Sequence, residues 1–304
     1  MSVQTIRKKQ RIRQSAGDKL FFGIAYVVFT LLMLLCAYPF YYLLIATVSD
    51  THMVEIGQVT LWPVGFRLDN YVKVLKVDNL LNAAQVSVMR TLVGTVLGVL
   101  CTTYMAYFFT KESMWGRKFW YRMVVVTMYF SAGLIPGYLN NRMLGLLNTF
   151  WVYIIPGLIS TYNMILVKTS IESMPAELEE SAYLDGAGYI QRLVSVVIPL
   201  QKPIIATIAL FVAVGHWNDF FTTKLNVTNP RLYTLQFQLY ELLQQVISAS
   251  AQIDTAIGES QQASISPAGI RMTLTAVVVI PIILVYPFIQ KYYVKGIMIG
   301  AIKG

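Results

Sequence analysis

Apolar residues in this chain come in long blocks separated by shorter charged stretches. Leu20 to Ser49 carries no formal charge. Five more blocks follow, at about Met89–Thr110, Tyr121–Leu139, Leu147–Val167, Pro203–Thr223 and Met272–Ile289. Each is near the roughly 20 residues that an α-helix needs to cross a ~30 Å hydrocarbon layer. The pattern predicts an all-α membrane protein with six transmembrane helices.

The first block is preceded by Arg7, Lys8, Lys9, Arg11, Arg13 and Lys19. It is longer than the roughly 7–15 apolar residues of a signal-peptide core, and no small-residue cleavage site follows, so it reads as an anchored helix. Lys and Arg then set the orientation. An amino terminus in the cytoplasm places sixteen bases inside: those six, with Lys111, Arg117, Lys118, Arg122, Lys168, Arg192, Lys202, Lys291, Lys295 and Lys303. Eight fall outside or at helix edges: Arg67, Lys73, Lys76, Arg142, Lys224 and Arg231, with Arg90 and Arg271 at the edges. Both termini are therefore expected in the cytoplasm. The chain divides into a basic N-terminus (1–19), a membrane domain (20–290) and a C-terminal tail (291–304). Loops 50–85 and 224–270 lie outside, and 168–202 lies inside. The second outer loop contains a predicted helix, about Leu232–Ile247, followed by a polar stretch, Asp254–Pro267.

Composition agrees. Hydrophobic residues make up 56% of the 304 residues and charged ones 13%, against about 25% charge in soluble domains. Mean hydropathy is +0.57. The net charge of +9 does not indicate nucleic acid, because the bases flank apolar segments and form no single aromatic-interleaved patch. Cys36 and Cys101 both sit in apolar runs and read as small buried side chains, with no metal or redox spacing.

The most informative segment is the inner loop, 177–199. Glu177, Glu179 and Glu180 stand in the first turns of a short helix, where carboxylates oppose its positive end. Pro175 suits the first position of that helix. Gly186 and Gly188 can end it with positive φ. A second amphipathic helix, about Tyr189–Val197, runs to Pro199. Such a unit can lie along the membrane surface and enter a cleft of a soluble partner. A merely lipid-bound helix would carry basic rather than acidic residues.

This loop resembles the cytoplasmic loop of type I ABC importer permeases, Glu-Ala-Ala, three residues, Gly, nine residues, Ile-x-Leu-Pro. Glu180, Ser181, Ala182, Gly186, Val196, Ile198 and Pro199 fall at the matching positions. Ser181 replaces an alanine, and Val196 and Ile198 are conservative departures. Phe130–Pro136 is similar to the Phe-Ser-Gly-Gly-Leu-Ile-Pro of the carbohydrate-uptake branch, with Ala132 the departure. Gly215–Asp219 and the tail Gln290–Gly300 match that branch too. The resemblance implies one permease chain of an alternating-access importer in a bacterial cytoplasmic membrane. Its implied partners are a second, homologous permease chain forming a heterodimer, two ABC ATPase subunits, an external solute-binding protein and a carbohydrate substrate. It implies ATPase coupling through Glu179, Glu180, Ser181, Ala182, Tyr183, Asp185, Gly186, Ala187 and Pro199. No cofactor is expected in this chain, since it has no Gly-x-x-x-x-Gly-Lys-Ser/Thr loop; ATP and Mg would be held by the ATPases.

Polar groups within a membrane are functional candidates. His216, Trp217, Asn218 and Asp219 cluster at the end of the fifth block, where aromatic faces and planar hydrogen-bonding groups suit a sugar path. An interfacial aromatic belt is the other reading. Tyr129, Ser131, Tyr162 and Asn163 could line the same path or bond between helices. Arg90 is expected to snorkel to the outer surface. Two other classes compete. An ion-coupled transporter wants carboxylates deep in several helices, whereas Asp219 stands alone. A membrane hydrolase wants metal ligands or a nucleophile motif, whereas the two histidines, His52 and His216, are far apart.

Overall fold

The computed structural model describes residues 15–76, 78–253, 269, 271–284 and 287. All regular structure among the described residues is helical. The basic residues before 15, the polar stretch 254–267 and the tail motif 290–300 lie outside the described residues. The chain divides into two compact units, Met1–Leu68 and Asp69–Gly304.

In the first unit, α1 (Ala16–Thr47) carries an apolar stretch of mean hydropathy 2.5, none of it buried, and only its last turn, Ile45, Ala46 and Thr47, is covered. An uncovered helix of that composition is stable only in lipid or against another helix. Its end is tied to the segment that follows. The Asp50 and Arg67 amides donate to the Val64 and Val48 carbonyls at 2.9 Å, and the Tyr41 hydroxyl donates to the Leu61 carbonyl at 2.5 Å. Asp50 caps α2 (Thr51–Glu55) by accepting from the His52 amide at 3.0 Å.

The second unit is built on α4 (Leu80–Thr110), preceded by α3 (Asp69–Leu75). One face of α4 is buried: Ala83, Ser87, Arg90, Gly94, Gly98, Thr102 and Ala106, each three or four residues after the last. This stripe of mostly small residues lets α7 (Thr161–Glu172) and α11 (Lys202–Asn218) lie close alongside. At Gly94 the need for glycine is steric. A Cβ there would lie 2.7 Å from Cδ2 and Cε1 of His216, and one at Gly98 would meet Val212 Cγ1 at 3.3 Å. Ala106, Tyr107, Met164, Val167, Leu193, Val197 and Ile208 form the core at the C-terminal end of α4. Val74, Leu80, Ala83, Leu235, Leu239, Leu274 and Val278 form another at its start.

Several expected spans are interrupted. The third is two helices, α5 (Arg117–Thr127) and α6 (Leu134–Met143). The break has a local cause: Gly133 adopts φ +88, and Pro136, lacking an N–H, belongs in the first turn of a new helix. The fourth begins as 3-10 turns, Phe150–Tyr153 and Ile155–Gly157, and meets α7 at 50°. The fifth stops at Asn218; a bend at Asp219 separates α11 from α12 (Phe221–Asn226). Among the described residues, two helices are long and apolar enough to cross a membrane unbroken, or up to four if each bent pair is one span. The outer-loop helix is α13 (Leu235–Ile253), and an apolar helix, α14 (Arg271–Leu284), covers the described part of the sixth block. Both cysteines are free.

Candidate functional site

The inner loop folds as a helix, a bend and a helix. Residues Glu177–Leu184 form α8, with three glutamates in its first turn. Gly186 at φ +82 supplies the bend, where any side chain would be strained. Gly188 does not share that role: its φ is −69, and it is the extended residue that opens α9 (Tyr189–Arg192). Pro175 likewise precedes the helix rather than opening it, since Ala176 is the N-cap. The chain continues through a π-helical turn, Leu193–Val197, into α10 (Ile198–Leu200). It then turns by 87° into α11.

Glu179 faces inward. Its Oε1 accepts from Lys111 Nζ, from the Tyr107 hydroxyl at 2.7 Å and from Arg192 at 3.3 Å. Burial works to raise the Glu179 carboxyl, but bonds from Lys111 and Tyr107 and the Lys111 and Arg192 charges outweigh it. The carboxyl is held below its ordinary value. Burial pulls the Lys111 ammonium below its own ordinary value, and the bond to Glu179 only partly offsets that. The Arg192 guanidinium lies over the rings of Tyr189 and Tyr183, at 4.6 Å and 5.1 Å from their centres. Ser113, in the turn after α4, meets the Tyr189 hydroxyl at 2.9 Å. The remaining members of the expected coupling set do not bond to the Glu179 carboxylate, and most are exposed. Glu180, Ser181, Asp185, Gly186 and Pro199 are exposed, as are Tyr183 and Leu184, at 64% and 84%. Ala182 and Ala187 are half-buried.

A second polar site lies beside the first half of α4. A cavity of about 400 Å³ is lined by Arg90, Asn141, Tyr153, Asn163, His216 and Asp219, among others. Arg90 does not snorkel. Its side chain is 3% exposed and pairs with the Asp219 carboxylate. It also donates to the Asp219 carbonyl at 2.8 Å and lies 4.5 Å over the Tyr153 ring. Asp219 accepts from the Thr222 amide at 3.1 Å and hydroxyl at 2.5 Å, which fixes the bend before α12. Asn141 donates to Asn226 at 3.0 Å.

Three of the expected path residues therefore meet in one cavity: Asn163, His216 and Asp219. Trp217 and Asn218 turn elsewhere. The Trp217 indole donates to the Val278 carbonyl at 3.0 Å, and Asn218 accepts from Gln236 at 3.1 Å. Tyr129 is exposed, and Ser131 accepts from the Gly133 amide at 3.3 Å in the break between α5 and α6. The cavity adds Arg90, Asn141, Tyr153 and Asn226. Arg90 and Asp219 had a sequence signal: each is an isolated charge in an apolar run, of opposite sign.

An exposed helix–bend–helix carried between apolar helices defines a membrane subunit that meets a soluble partner. The chain belongs to the family described as binding-protein-dependent transport system inner membrane component, whose model matches residues 94–299. It is 37% identical over 267 residues to Protein LplC of Bacillus subtilis (strain 168), covering 88% of this chain and 89% of that one. The polygalacturonan/rhamnogalacturonan transport system permease protein YtcP of the same organism is 34% identical over 288 residues, covering 94% and 99%. A solved bacterial ABC transporter involved in import of the acidic polysaccharide alginate has a chain with TM-score 0.82 and 29% identity, covering 93% and 99%. The chain is thus an inner-membrane permease component of an ABC importer. It works with a binding protein and a separate ATPase rather than catalysing a reaction itself.

Proposed function

We propose that this chain is one of two homologous permease subunits of an importer that carries an oligosaccharide across a bacterial cytoplasmic membrane. It crosses the membrane six times with both termini in the cytoplasm. An external solute-binding protein delivers the sugar, and two ATPase subunits drive transport, their motion reaching this chain through the loop 177–199. Their approach on binding ATP moves the loop and switches the helices between inward-open and outward-open states. The sixteen-to-eight division of basic residues supports the orientation. The polar cavity at Asn163, His216 and Asp219 lies on the path of the sugar. Transport proteins for galacturonan and alginate among the relatives make oligogalacturonate and oligoalginate the first probes.

The observation that carries this reading is the loop: anchored by Glu179, bent at Gly186, and leaving Leu184 and much of Tyr183 exposed. Replacing Gly186 tests it. A β-branched residue at φ +82 is strained by about 1–3 kcal/mol, which misplaces α8. With the complete transporter in vesicles, Gly186→Val should abolish most uptake of the probe while ATP hydrolysis persists. Normal uptake by this variant would remove the loop from coupling.

A further inference from the structure

The loop connects to the membrane helices by two routes of different stiffness. The covalent route runs from α9 through the π-helical turn Leu193–Val197, then through the 87° bend into α11. A π turn is a rare interruption of the α-helical ladder and one of the few features at which helices kink. A sharp bend adds a second point of compliance. A push on α8 delivered along this route is partly absorbed before it reaches α11.

The second route is short. Glu179, in the first turn of α8, is bonded to Lys111, the residue that ends α4, and to Tyr107 one turn earlier. Arg192 on α9 reaches the same carboxylate oxygen, so both loop helices share one anchor. Ser113 to Tyr189 adds a second tie from the end of α4 to α9. Charge-assisted bonds of this kind are the strong ones. The glutamate and lysine side chains are each 15% exposed, so solvent screens them weakly. The helix they reach is the one against which α7 and α11 both lie.

We infer that the Glu179–Lys111–Tyr107–Arg192 cluster is a transmission clamp that makes α4, rather than α11, the first membrane helix to receive the displacement of the loop. The residues position α8 on α4 and do not themselves meet the ATPase. This inference rests on the ATP-driven reading above.

It is tested without any sugar. Spin labels are placed at Glu112→Cys, just past α4, and Glu177→Cys, at the start of α8, with Cys36 and Cys101 replaced by serine. Interlabel distance is measured in the complete reconstituted transporter, first without nucleotide and then trapped with ATP, Mg²⁺ and vanadate. With the clamp intact the two distances should coincide, because loop and helix move as one body. Lys111→Met should make them diverge, Lys111→Arg should keep them together, and Lys111→Met with Glu179→Gln should diverge no further than Lys111→Met alone, as for members of one network. A distance that already changes with nucleotide in the unmutated clamp overturns the inference, as does one that stays fixed in Lys111→Met. Failure of the unmutated transporter to trap vanadate would overturn the ATP-driven reading beneath it.

Discussion

Two ion pairs hold α4, one in its first half and one at its C-terminus, and they are built differently. In the first, the Arg90 guanidinium is 3% exposed, bonded twice to Asp219 and stacked on Tyr153, while Asp219 itself is 27% exposed. In the second, Lys111 shares Glu179 with Arg192 and Tyr107, and the charged side chains are 10–15% exposed. A buried guanidinium with a single carboxylate has no substitute when that partner is lost, so the first pair locks a joint between α4, α11 and α12. In the second, one carboxylate is shared by three donors, so losing one donor leaves the others in place. It fastens the loop to α4. The same residue chemistry therefore gives a fixed joint or a shared fastening according to how many donors the carboxylate serves.

The largest effect expected from this contrast is at the buried pair. Removing Asp219 strands the Arg90 charge, and losing one partner of a buried pair costs about 3–5 kcal/mol. Asp219→Asn should lower the thermal midpoint of the purified transporter more than any single change at Glu179 or Lys111. Arg90→Met combined with Asp219→Leu should recover most of the loss, because the stranded charge is then gone. If Asp219→Asn and Lys111→Met destabilise equally, the contrast between the two ends fails.

How much of this was legible in the sequence depends on the range of each contact. The bend at Gly186 and the acidic first turn of α8 are local, and the residue order announced them. The broken spans were half legible: Gly133 and Pro136 mark the interruption, but the apolar character of 121–139 hid it. The two anchors were not read, because their partners are 72 and 129 residues apart in the chain. Lys111 looked like one more inner base and Arg90 like an edge residue. Periodicity says which face of a helix is apolar, not which charge on another helix will meet it. Trp217 illustrates the converse. An aromatic beside polar residues suggested a sugar contact, whereas its indole is spent on a carbonyl of α14.

An intermediate effect should appear where α4 and α11 touch. A methyl at Gly94 would overlap the His216 imidazole, and overpacking of this kind costs about 1–3 kcal/mol. Gly94→Ala should therefore push α11 away and loosen the neighbouring Arg90–Asp219 pair. Gly98→Ala, where the nearest atom is a movable Val212 methyl at 3.3 Å, should cost less. Thermal melts of the two variants give the ranking, and His216→Ala in the Gly94→Ala background should restore stability. A Gly94→Ala variant as stable as the parent would mean that the fixed joint does not depend on this close approach.

The smallest effect is at the C-terminal end of α4 and is read through pH. The Glu179 carboxyl lies below its ordinary value of 4.5 in the folded loop, so the folded state favours its charged form. The stabilisation from this shift is complete above that ordinary value and is lost as pH falls from there through the lowered one. The group is only partly buried, so the loss should be less than about 1 kcal/mol. That is too little to unfold the protein and enough to free the loop locally. A spin label at Glu177→Cys should then gain mobility as the pH is lowered into this range, while α1, which holds no such group along its apolar span, stays unchanged. In Glu179→Gln the label should be mobile already at neutral pH and show little further change. If its mobility follows the same pH curve with and without the Glu179 carboxylate, the loop is held by packing at Leu193 and Val197 rather than by the shared carboxylate.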